Sequence, residues 1–189
     1  MIDPNTLVQW QKIDESVDAV YPWFTHPFLD VLKKWDLSNK RVLEFGGGRS
    51  TAWWRKRADW VTTVEANMSW ANQINNECFN NALINGLIVV VPINEGDSQH
   101  KEEYTKCGEK YAPYDVVIVD GILRYECLEY ALTLPRPLTL IADNWDQDFV
   151  WISPAAIELM KPYDIHVFEQ SDHTDNEGKK WKTVFWELT

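Results

Sequence analysis

Short apolar runs alternate with amphipathic segments along most of the chain, and these patterns predict strands and helices respectively. The apolar runs cover residues 41–45, 60–65, 87–93, 114–120 and 138–142. The run at 87–93 is apolar throughout, which is typical of a strand covered by helices on both faces. Because strands and helices alternate, the pattern predicts βα units and a parallel sheet.

Capping residues mark where several helices begin and end. Ser50 follows the glycines after the first strand and predicts an N-cap, and Asn67 predicts another. The helix after Asn67 carries apolar residues at positions 71, 74, 78 and 82, and Asn85-Gly86 predicts its end. Ser153-Pro154 predicts the start of a further helix, with proline at the first helical position.

The last part of the chain has a different pattern. Residues 164–168 and 182–188 are strand-like runs joined by a polar loop, which predicts an antiparallel hairpin at one sheet edge. Five βα units and this hairpin predict a three-layer α/β/α sandwich with a seven-stranded, mostly parallel sheet and an antiparallel last strand. Residues 1–40 are predicted to form a helical cap segment beside the carboxyl edge of the sheet. Residues 41–189 are predicted to form the main body of one compact domain.

Length and composition limit the class of protein. A chain of 189 residues with 45% hydrophobic residues is ordinary for one globular domain. No stretch has the length and apolarity of a membrane span, and the first residues lack the features of a signal peptide. The three cysteines form no CxxC pair, which predicts reduced thiols and a cytoplasmic location.

The net charge of −11 bears on the partners of the protein. Proteins that bind nucleic acid normally present a basic surface to the phosphates, and the only dense basic run in the sequence is 55–57. Nucleic acid is therefore a disfavoured partner. Trp53, Trp54, Trp60 and Trp70 are predicted to lie in the core. Trp23 falls in a predicted loop, where a large aromatic side chain more often lines a pocket.

The first predicted strand ends in an acid and a glycine turn, at the edge where open parallel sheets bind ligands. The turn consists of Gly46, Gly47 and Gly48. Glycines let the backbone approach a ligand, and the helix beginning at Ser50 presents N–H groups to an anion. A dinucleotide fingerprint requires a further glycine at position 51, which is threonine. Glu44 can meet the ammonium group of S-adenosylmethionine, so the turn favours this ligand over a dinucleotide.

Two further acids follow the next predicted strands. Glu65 ends the second strand about 20 residues after Gly46, the offset at which a carboxylate accepts hydrogen bonds from ribose hydroxyls. Asp97, followed by Ser98, comes after the third strand and is placed to hold the adenine amino group. Acids at successive strand ends predict one cofactor site, and helix capping is the other interpretation of these residues.

With these motifs, the chain resembles the class I S-adenosylmethionine-dependent methyltransferases over about residues 20–170. VLEFGGGRST resembles their motif I, VEAN the acidic loop that follows it, and YDVVIVDG motif IV. The resemblance implies a Rossmann-like sheet whose last strand is antiparallel. It also implies that Glu44, Gly46, Gly48 and Ser50 surround the methionine part of the cofactor, Glu65 the ribose and Asp97 the adenine. Tyr21-Pro22-Trp23 resembles a cap segment of small-molecule methyltransferases, which implies that Trp23 lies near the cofactor. A plain core position is the alternative for Trp23.

The active centre is predicted at the ends of the fourth and fifth strands, where Asp120 and the pair Asp143-Asn144 lie. Their oxygens predict an Mg²⁺ site, similar to that of catechol-type O-methyltransferases. That family has a lysine three residues after the first acid, whereas this chain has Leu123 there and Arg124 next. Without a metal, Asp120 is expected to contact the cofactor's ammonium group and Asp143 the substrate. Arg124, the third predicted catalytic residue, either binds a substrate carboxylate or phosphate or forms a salt bridge at a helix start.

These features predict an S-adenosylmethionine-dependent methyltransferase that acts on a small molecule, at oxygen. The short segment after the fifth strand leaves little room for a substrate domain, and the sequence lacks the Asn/Asp-Pro-Pro-aromatic motif of amino-methylating nucleobase enzymes. A cofactor-binding module with a regulatory or assembly role is the alternative, and a nicotinamide oxidoreductase ranks third. A homodimer is compatible with the sequence, which does not identify the methyl acceptor.

Overall fold

The computed structural model describes residues 21–93, 98–145, 152–170 and 180–189. The strands in this part of the chain are β1 (Arg41–Phe45), β2 (Trp60–Glu65), β3 (Gly86–Val90), β4 (Val116–Val119), β5 (Leu138–Ala142), β6 (His166–Gln170) and β7 (Trp181–Leu188). The α-helices are α1 (His26–Leu32), α2 (Arg49–Arg55), α3 (Met68–Asn80), α4 (Ser98–Lys106), α5 (Arg124–Ala131) and α6 (Pro154–Met160), and a short 3₁₀ helix covers Glu109–Tyr111.

The described strands form one seven-stranded sheet in the order β3-β2-β1-β4-β5-β7-β6. β1 to β5 run parallel, and β7 is inserted between β5 and β6, antiparallel to both. Helices α1, α2 and α3 cover one face of the sheet, and α4, α5 and α6 cover the other. The structure therefore confirms the three-layer α/β/α sandwich, the mostly parallel sheet and the antiparallel last strand.

Side chains of the central strands alternate between the two faces of the sheet. On β1, Val42 packs with α1 and α2, whereas Leu43 and Phe45 pack with α4 and α5. Trp53 and Trp54 of α2 are fully buried, as predicted, with ring centroids 4.8 Å apart, and Trp60 is half-buried. Because Glu44 lies on the same face as Val42, its carboxylate enters the layer between the sheet and α2.

Two of the predicted helix caps are confirmed and one is wrong. Asn67 caps α3 with its side chain, and Ser153 caps α6. The N-cap of α2 is Gly48, whereas Ser50 lies inside the helix with its side chain buried. The reason is that the Ser50 hydroxyl donates to the carboxylate of Glu44 instead of capping the helix.

The predicted end of α3 is also wrong. The helix ends at Asn80, and Ala82 adopts a left-handed backbone with φ 56°. Gly86 is the first residue of β3, where a Cβ would lie 2.3 Å from the carbonyl oxygen of Val61. Glycine is therefore required at this position by the close approach of two strands.

The described part of the predicted cap segment is residues 21–40, and residues 1–20 lie outside the described residues. Here α1 lies on the face of the sheet, where Phe28 packs against Phe168 and Phe185 with ring centroids 5.3 and 5.9 Å away. This helix is thus part of one outer layer of the sandwich. None of the described helices is long and apolar enough to cross a membrane.

The glycine turn after β1 packs backbone to backbone on the end of β4. Gly46 has a left-handed backbone with φ 89°, and a Cβ on it would lie 2.4 Å from the Cα of Gly121. The Gly121 N–H donates to the Phe45 carbonyl (2.8 Å), and the Gly46 N–H donates to the Val64 carbonyl (2.9 Å). The turn is thereby joined to both β2 and β4, which fixes the direction of its peptide groups.

We expect Gly46→Ala to lower the free energy of unfolding by about 3 kcal/mol, because the new Cβ adds backbone strain and a clash with Gly121. Gly48→Ala is the matched control, because Gly48 has an extended backbone and a Cβ there meets nothing closer than Ser50 Oγ at 3.8 Å. Equilibrium unfolding in urea, followed by tryptophan fluorescence, measures both values. An equal decrease in the free energy of unfolding in both variants would contradict the packing described for the turn.

Candidate active site

The carboxyl edge of the sheet gathers most of the predicted site residues. Strands β2, β1, β4 and β5 lie side by side and run parallel, so Glu65, the glycine turn, Asp120 and Asp143 follow one another along this edge. The chain leaves β1 toward one side of the sheet and leaves β4 toward the other, so the topological switch point lies between these strands. Open α/β sheets bind their ligands at this point.

Glu44 lies at the end of β1 and is fully buried. Its carboxylate accepts hydrogen bonds from the hydroxyls of Ser50 (2.5 Å), Thr51 (2.6 Å) and Thr63 (2.9 Å). Burial raises the pKa of the Glu44 carboxyl to about 7, against the opposing effect of these three hydroxyls. A contact between Glu44 and a cofactor ammonium group stays a prediction, since the carboxylate here binds hydroxyls of the protein.

Sequence reasoning missed Thr51 and Thr63, which hold Glu44 in place. The Thr51 hydroxyl donates to Glu44 and also accepts a hydrogen bond from the Gly48 N–H (3.1 Å). Thr63 is the direct neighbour of Glu44 in the register between β1 and β2. A buried carboxylate requires hydrogen-bond donors, and an acid in an apolar strand with hydroxyl residues on the flanking elements is the signal for such a network.

Glu65 fixes the same turn from the end of β2. Its carboxylate oxygens accept hydrogen bonds from the N–H groups of Gly47 (3.0 Å) and Asn67 (2.8 Å). The Trp70 indole N–H donates to the Gly47 carbonyl (2.7 Å), so the Gly47 peptide is held at both its N–H and its carbonyl. Trp70 is 39% exposed. Its predicted place in the core is therefore wrong, because its indole reaches the glycine turn instead.

Three other predicted cofactor residues stand apart from this network. Asp97 lies outside the described residues. Ser98 is the first residue of α4, and only its backbone is described. Trp23 precedes α1 and is 42% exposed, so it is not a core residue. The roles of these residues in cofactor binding stay predictions.

Arg124 connects the ends of β4 and β5. Its guanidinium donates to Asp120 Oδ1 (3.2 Å), to Asn144 Oδ1 (3.1 Å) and to the carbonyls of Asp143 and Gly121. Its side chain is 5% exposed. Of its two predicted roles, the structure shows the salt bridge at a helix start, because Arg124 begins α5 and pairs with Asp120. Binding a substrate anion would require these bonds to break.

The predicted Mg²⁺ ligands do not fit a metal site in this arrangement. Asp120, Asp143 and Asn144 are close together, but Asp120 Oδ1, Asn144 Oδ1 and the backbone carbonyl of Asp143 all accept hydrogen bonds from the Arg124 guanidinium. Mg²⁺ requires near-octahedral oxygen ligands at about 2.1 Å. Here the Asp120 and Asn144 side chains already bind the guanidinium, and the Asp143 carboxylate binds the Thr183 hydroxyl. Among the described residues, no group of three or more His, Cys, Asp or Glu side chains is arranged to hold a metal ion.

The two acids of this cluster have different environments. Asp143 is 4% exposed and accepts a hydrogen bond from the Thr183 hydroxyl (2.5 Å), which accepts one from the Thr25 N–H (2.9 Å). Burial and the charge of Asp120 hold the pKa of Asp143 well above its usual range. The Asp120 side chain is 28% exposed, and burial raises its pKa to about 6 against the attraction of Arg124. Asp120 is therefore the acid that a ligand at this edge can reach.

Glu44→Gln is expected to make stability less dependent on pH. The folded-state pKa of Glu44 is about 7, above the usual value of 4.5. The protonated carboxyl therefore stabilises the fold fully below pH 4.5, and this stabilisation is lost as the pH rises through 7. Between about pH 5 and about pH 8, the Tm of wild type should thus fall further than the Tm of Glu44→Gln. Glu187→Gln, an exposed change on β7, should follow wild type. Superimposable profiles for wild type and Glu44→Gln would refute the raised pKa.

Comparisons with known proteins agree with this geometry. No protein-family model and no curated protein matches the sequence. Precorrin 8w decarboxylase from Methanobacterium thermoautotrophicum is similar in structure, with a TM-score of 0.64 and 14% identity over 92% of this chain and 96% of that one. An rRNA methylase from Streptococcus thermophilus aligns with a TM-score of 0.60 and 12% identity, over 87% of this chain and 96% of that one.

A Streptococcus mutans protein described as a methyltransferase, solved in complex with SAH (S-adenosylhomocysteine), is also similar. It aligns with a TM-score of 0.60 and 12% identity, over 87% of this chain and 99% of that one. At this level of identity the likeness establishes the fold. The chain has the fold of the class I S-adenosylmethionine-dependent methyltransferases.

Proposed function

We propose that the protein is an S-adenosylmethionine-dependent methyltransferase whose cofactor binds at the glycine turn. The observation that carries this proposal is the way the turn is fixed. Gly47 is held by Glu65 and Trp70, and Gly46 is packed against Gly121. A turn fixed from several sides presents its peptide groups to a ligand in one geometry. The similar structure solved with SAH supports the same ligand class for this edge.

The charges at the edge match the parts of S-adenosylmethionine. An ionised carboxylate has about four lone-pair sites, and Glu65 uses two of them for backbone N–H groups. The others suit the ribose hydroxyls. Arg49 begins α2 beside Gly48 and adds a positive charge near the turn that suits the cofactor's carboxylate. Asp97 and Ser98 are proposed to bind the adenine.

Methyl transfer is a direct displacement, in which the acceptor atom, the methyl carbon and the sulfur must be aligned. The acceptor lone pair forms the new bond to carbon while the carbon–sulfur bond breaks and sulfur keeps the electron pair. A hydroxyl acceptor must also lose its proton, and Asp120 is the acid proposed to take it, because its side chain is partly exposed and its pKa is about 6. Asp143 is proposed to keep this region ordered through Thr183.

The proposed acceptor is a small molecule that is methylated at oxygen. The net charge of −11 and the acids along the edge disfavour a polyphosphate backbone. In the described chain, only α6 and the β6–β7 hairpin follow β5, which leaves little room there for a substrate domain. The fold does not decide the acceptor, because similar structures include an rRNA methylase. A cytoplasmic location and a homodimer stay predictions.

A cofactor-binding module without catalysis is the second candidate. One observation favours it: Asp143 is buried against Thr183 and Asp120 is paired with Arg124, so both predicted catalytic acids have partners within the protein. The partial exposure of Asp120 favours the enzyme, because a carboxylate that a ligand can reach can still accept a proton. Turnover of S-adenosylmethionine distinguishes the two candidates.

Calorimetric titration with SAH should show binding, and Glu65→Ala should weaken it by about 10-fold or more, because charge-assisted hydrogen bonds to the ribose are lost. Glu77→Ala, also an acid-to-alanine change but on α3, should bind like wild type. Circular dichroism establishes that each variant is folded. Equal or tighter binding of NAD would indicate a dehydrogenase site and contradict the proposal.

Labelled S-adenosylmethionine should donate its methyl group to small molecules in a metabolite extract and not to total RNA. Asp120→Asn should lower this transfer by about 100-fold, because the proton acceptor is lost, and should weaken SAH binding much less. Asp164→Asn, an exposed change before β6, is the control. Labelled RNA would overturn the small-molecule acceptor, and SAH binding without transfer to either pool would favour the binding module.

A further inference from the structure

We infer that Arg124 is a built-in cation that takes the position of a divalent metal between the ends of β4 and β5, so that methyl transfer here needs no metal. The claim that methyl transfer needs no metal rests on the proposed function. The claim that Arg124 takes the position of a metal concerns only the cluster of Asp120, Arg124, Asp143 and Asn144, and can be tested by itself. The guanidinium, rather than an ion from solution, would hold the two strand ends together.

Two of the three side chains that predict a metal site, Asp120 and Asn144, bind the guanidinium. Arg124 Nη2 lies 3.2 Å from Asp120 Oδ1 and 3.1 Å from Asn144 Oδ1, and it also donates to the Asp120 carbonyl (2.8 Å). Nη1 donates to the Asp143 carbonyl, and Nε donates to the Gly121 carbonyl (3.0 Å). The guanidinium is planar and has five N–H donors, so one side chain binds acceptors from the ends of both strands.

The charge of the cluster also disfavours a second cation. Arg124 is 5% exposed and forms an ion pair with Asp120, so a divalent ion among these oxygens would lie next to a buried positive charge. The Asp143 carboxylate, which a metal site needs as a ligand, accepts a hydrogen bond from Thr183 instead (2.5 Å). Asp143 contributes only its carbonyl to Arg124. The ligand set is therefore divided between two hydrogen-bond networks.

Two residues beside the cluster have an uncommon backbone conformation. Leu123 (φ 52°) and Asn144 (φ 50°) both have left-handed conformations, which are uncommon outside glycine. Leu123 immediately precedes Arg124 and is the N-cap of α5, and Asn144 immediately follows Asp143. Unfavourable conformations persist only where the surrounding structure enforces them. Their place on both sides of the guanidinium indicates that the fold specifies its position.

In the proposed reaction, Arg124 is a positioning residue. Its bond to Asp120 Oδ1 fixes the carboxylate and leaves the second oxygen of Asp120 to accept the acceptor's proton. Its bonds to the carbonyls of Gly121 and Asp143 keep the ends of β4 and β5 at a constant separation. Alignment and charge neutralisation, which a bound metal provides in a metal-dependent enzyme, are thereby supplied by one side chain.

The test is a thermal-unfolding titration with Mg²⁺ and Mn²⁺. Wild type should show no shift in Tm. Arg124→Ala and Arg124→Gln leave the oxygens without their cation, so a millimolar divalent ion should raise the Tm of these variants by roughly 5 °C. Adding Asp120→Asn to either variant should abolish this rise, because it removes the carboxylate that pairs with the cation. Arg124→Gln preserves more of the side-chain volume and gives a second reading if the alanine variant does not fold.

Two results would overturn the inference. A rise in the Tm of wild type that Asp120→Asn abolishes would show that a metal binds despite the guanidinium. No divalent response in any folded Arg124 variant would show that the oxygens do not form a cation position. Wild type should also bind SAH and transfer methyl groups equally well in EDTA. Loss of transfer in EDTA with SAH binding intact would refute the metal-free reaction, whereas failure to bind SAH would contradict the proposed function and leave the ion result valid.

Discussion

The backbone contact between Gly46 and Gly121 sets the geometry of the carboxyl edge. Because no side chain separates these residues, the turn after β1 and the end of β4 touch directly, and the Gly121 N–H reaches the Phe45 carbonyl (2.8 Å). β2 lies on one side of β1 and β4 on the other, so Glu65 and Asp120 flank the same turn. A bulkier residue at either glycine would separate the strand ends and move these acids apart.

Three acids near this edge each have their own hydrogen-bond donors. Glu44 has three hydroxyls, Asp143 has the hydroxyl of Thr183, and Asp120 has the guanidinium of Arg124. An unpaired buried carboxylate is costly, so these donors are a condition for folding. The acids thus divide by exposure. The buried ones hold the turn and the strand ends, and Asp120 is the one whose side chain is partly exposed.

The fold was predictable where the signal is local and buried. The apolar runs match the bounds of β1, β2 and β5, and Asn67 caps its helix as predicted. The wrong predictions concern residues whose hydrogen-bond partner is distant in sequence. Ser50 has the chemistry of an N-cap, but the carboxylate of Glu44 competes for its hydroxyl. Arg124 and Trp70 have several possible partners in the sequence, and only the sheet order brings their acceptors into reach.

The position of β7 in the sheet has a consequence for synthesis on the ribosome. β7 is the last described strand in the chain, yet it lies between β5 and β6. Until it emerges, a nascent chain that has already paired β1 to β5 exposes the open edge of β5, and Asp143 lacks the Thr183 hydroxyl. Exposed strand edges attract other chains. The interval before β7 docks is therefore the time when the edge of β5 is open to pairing with other chains.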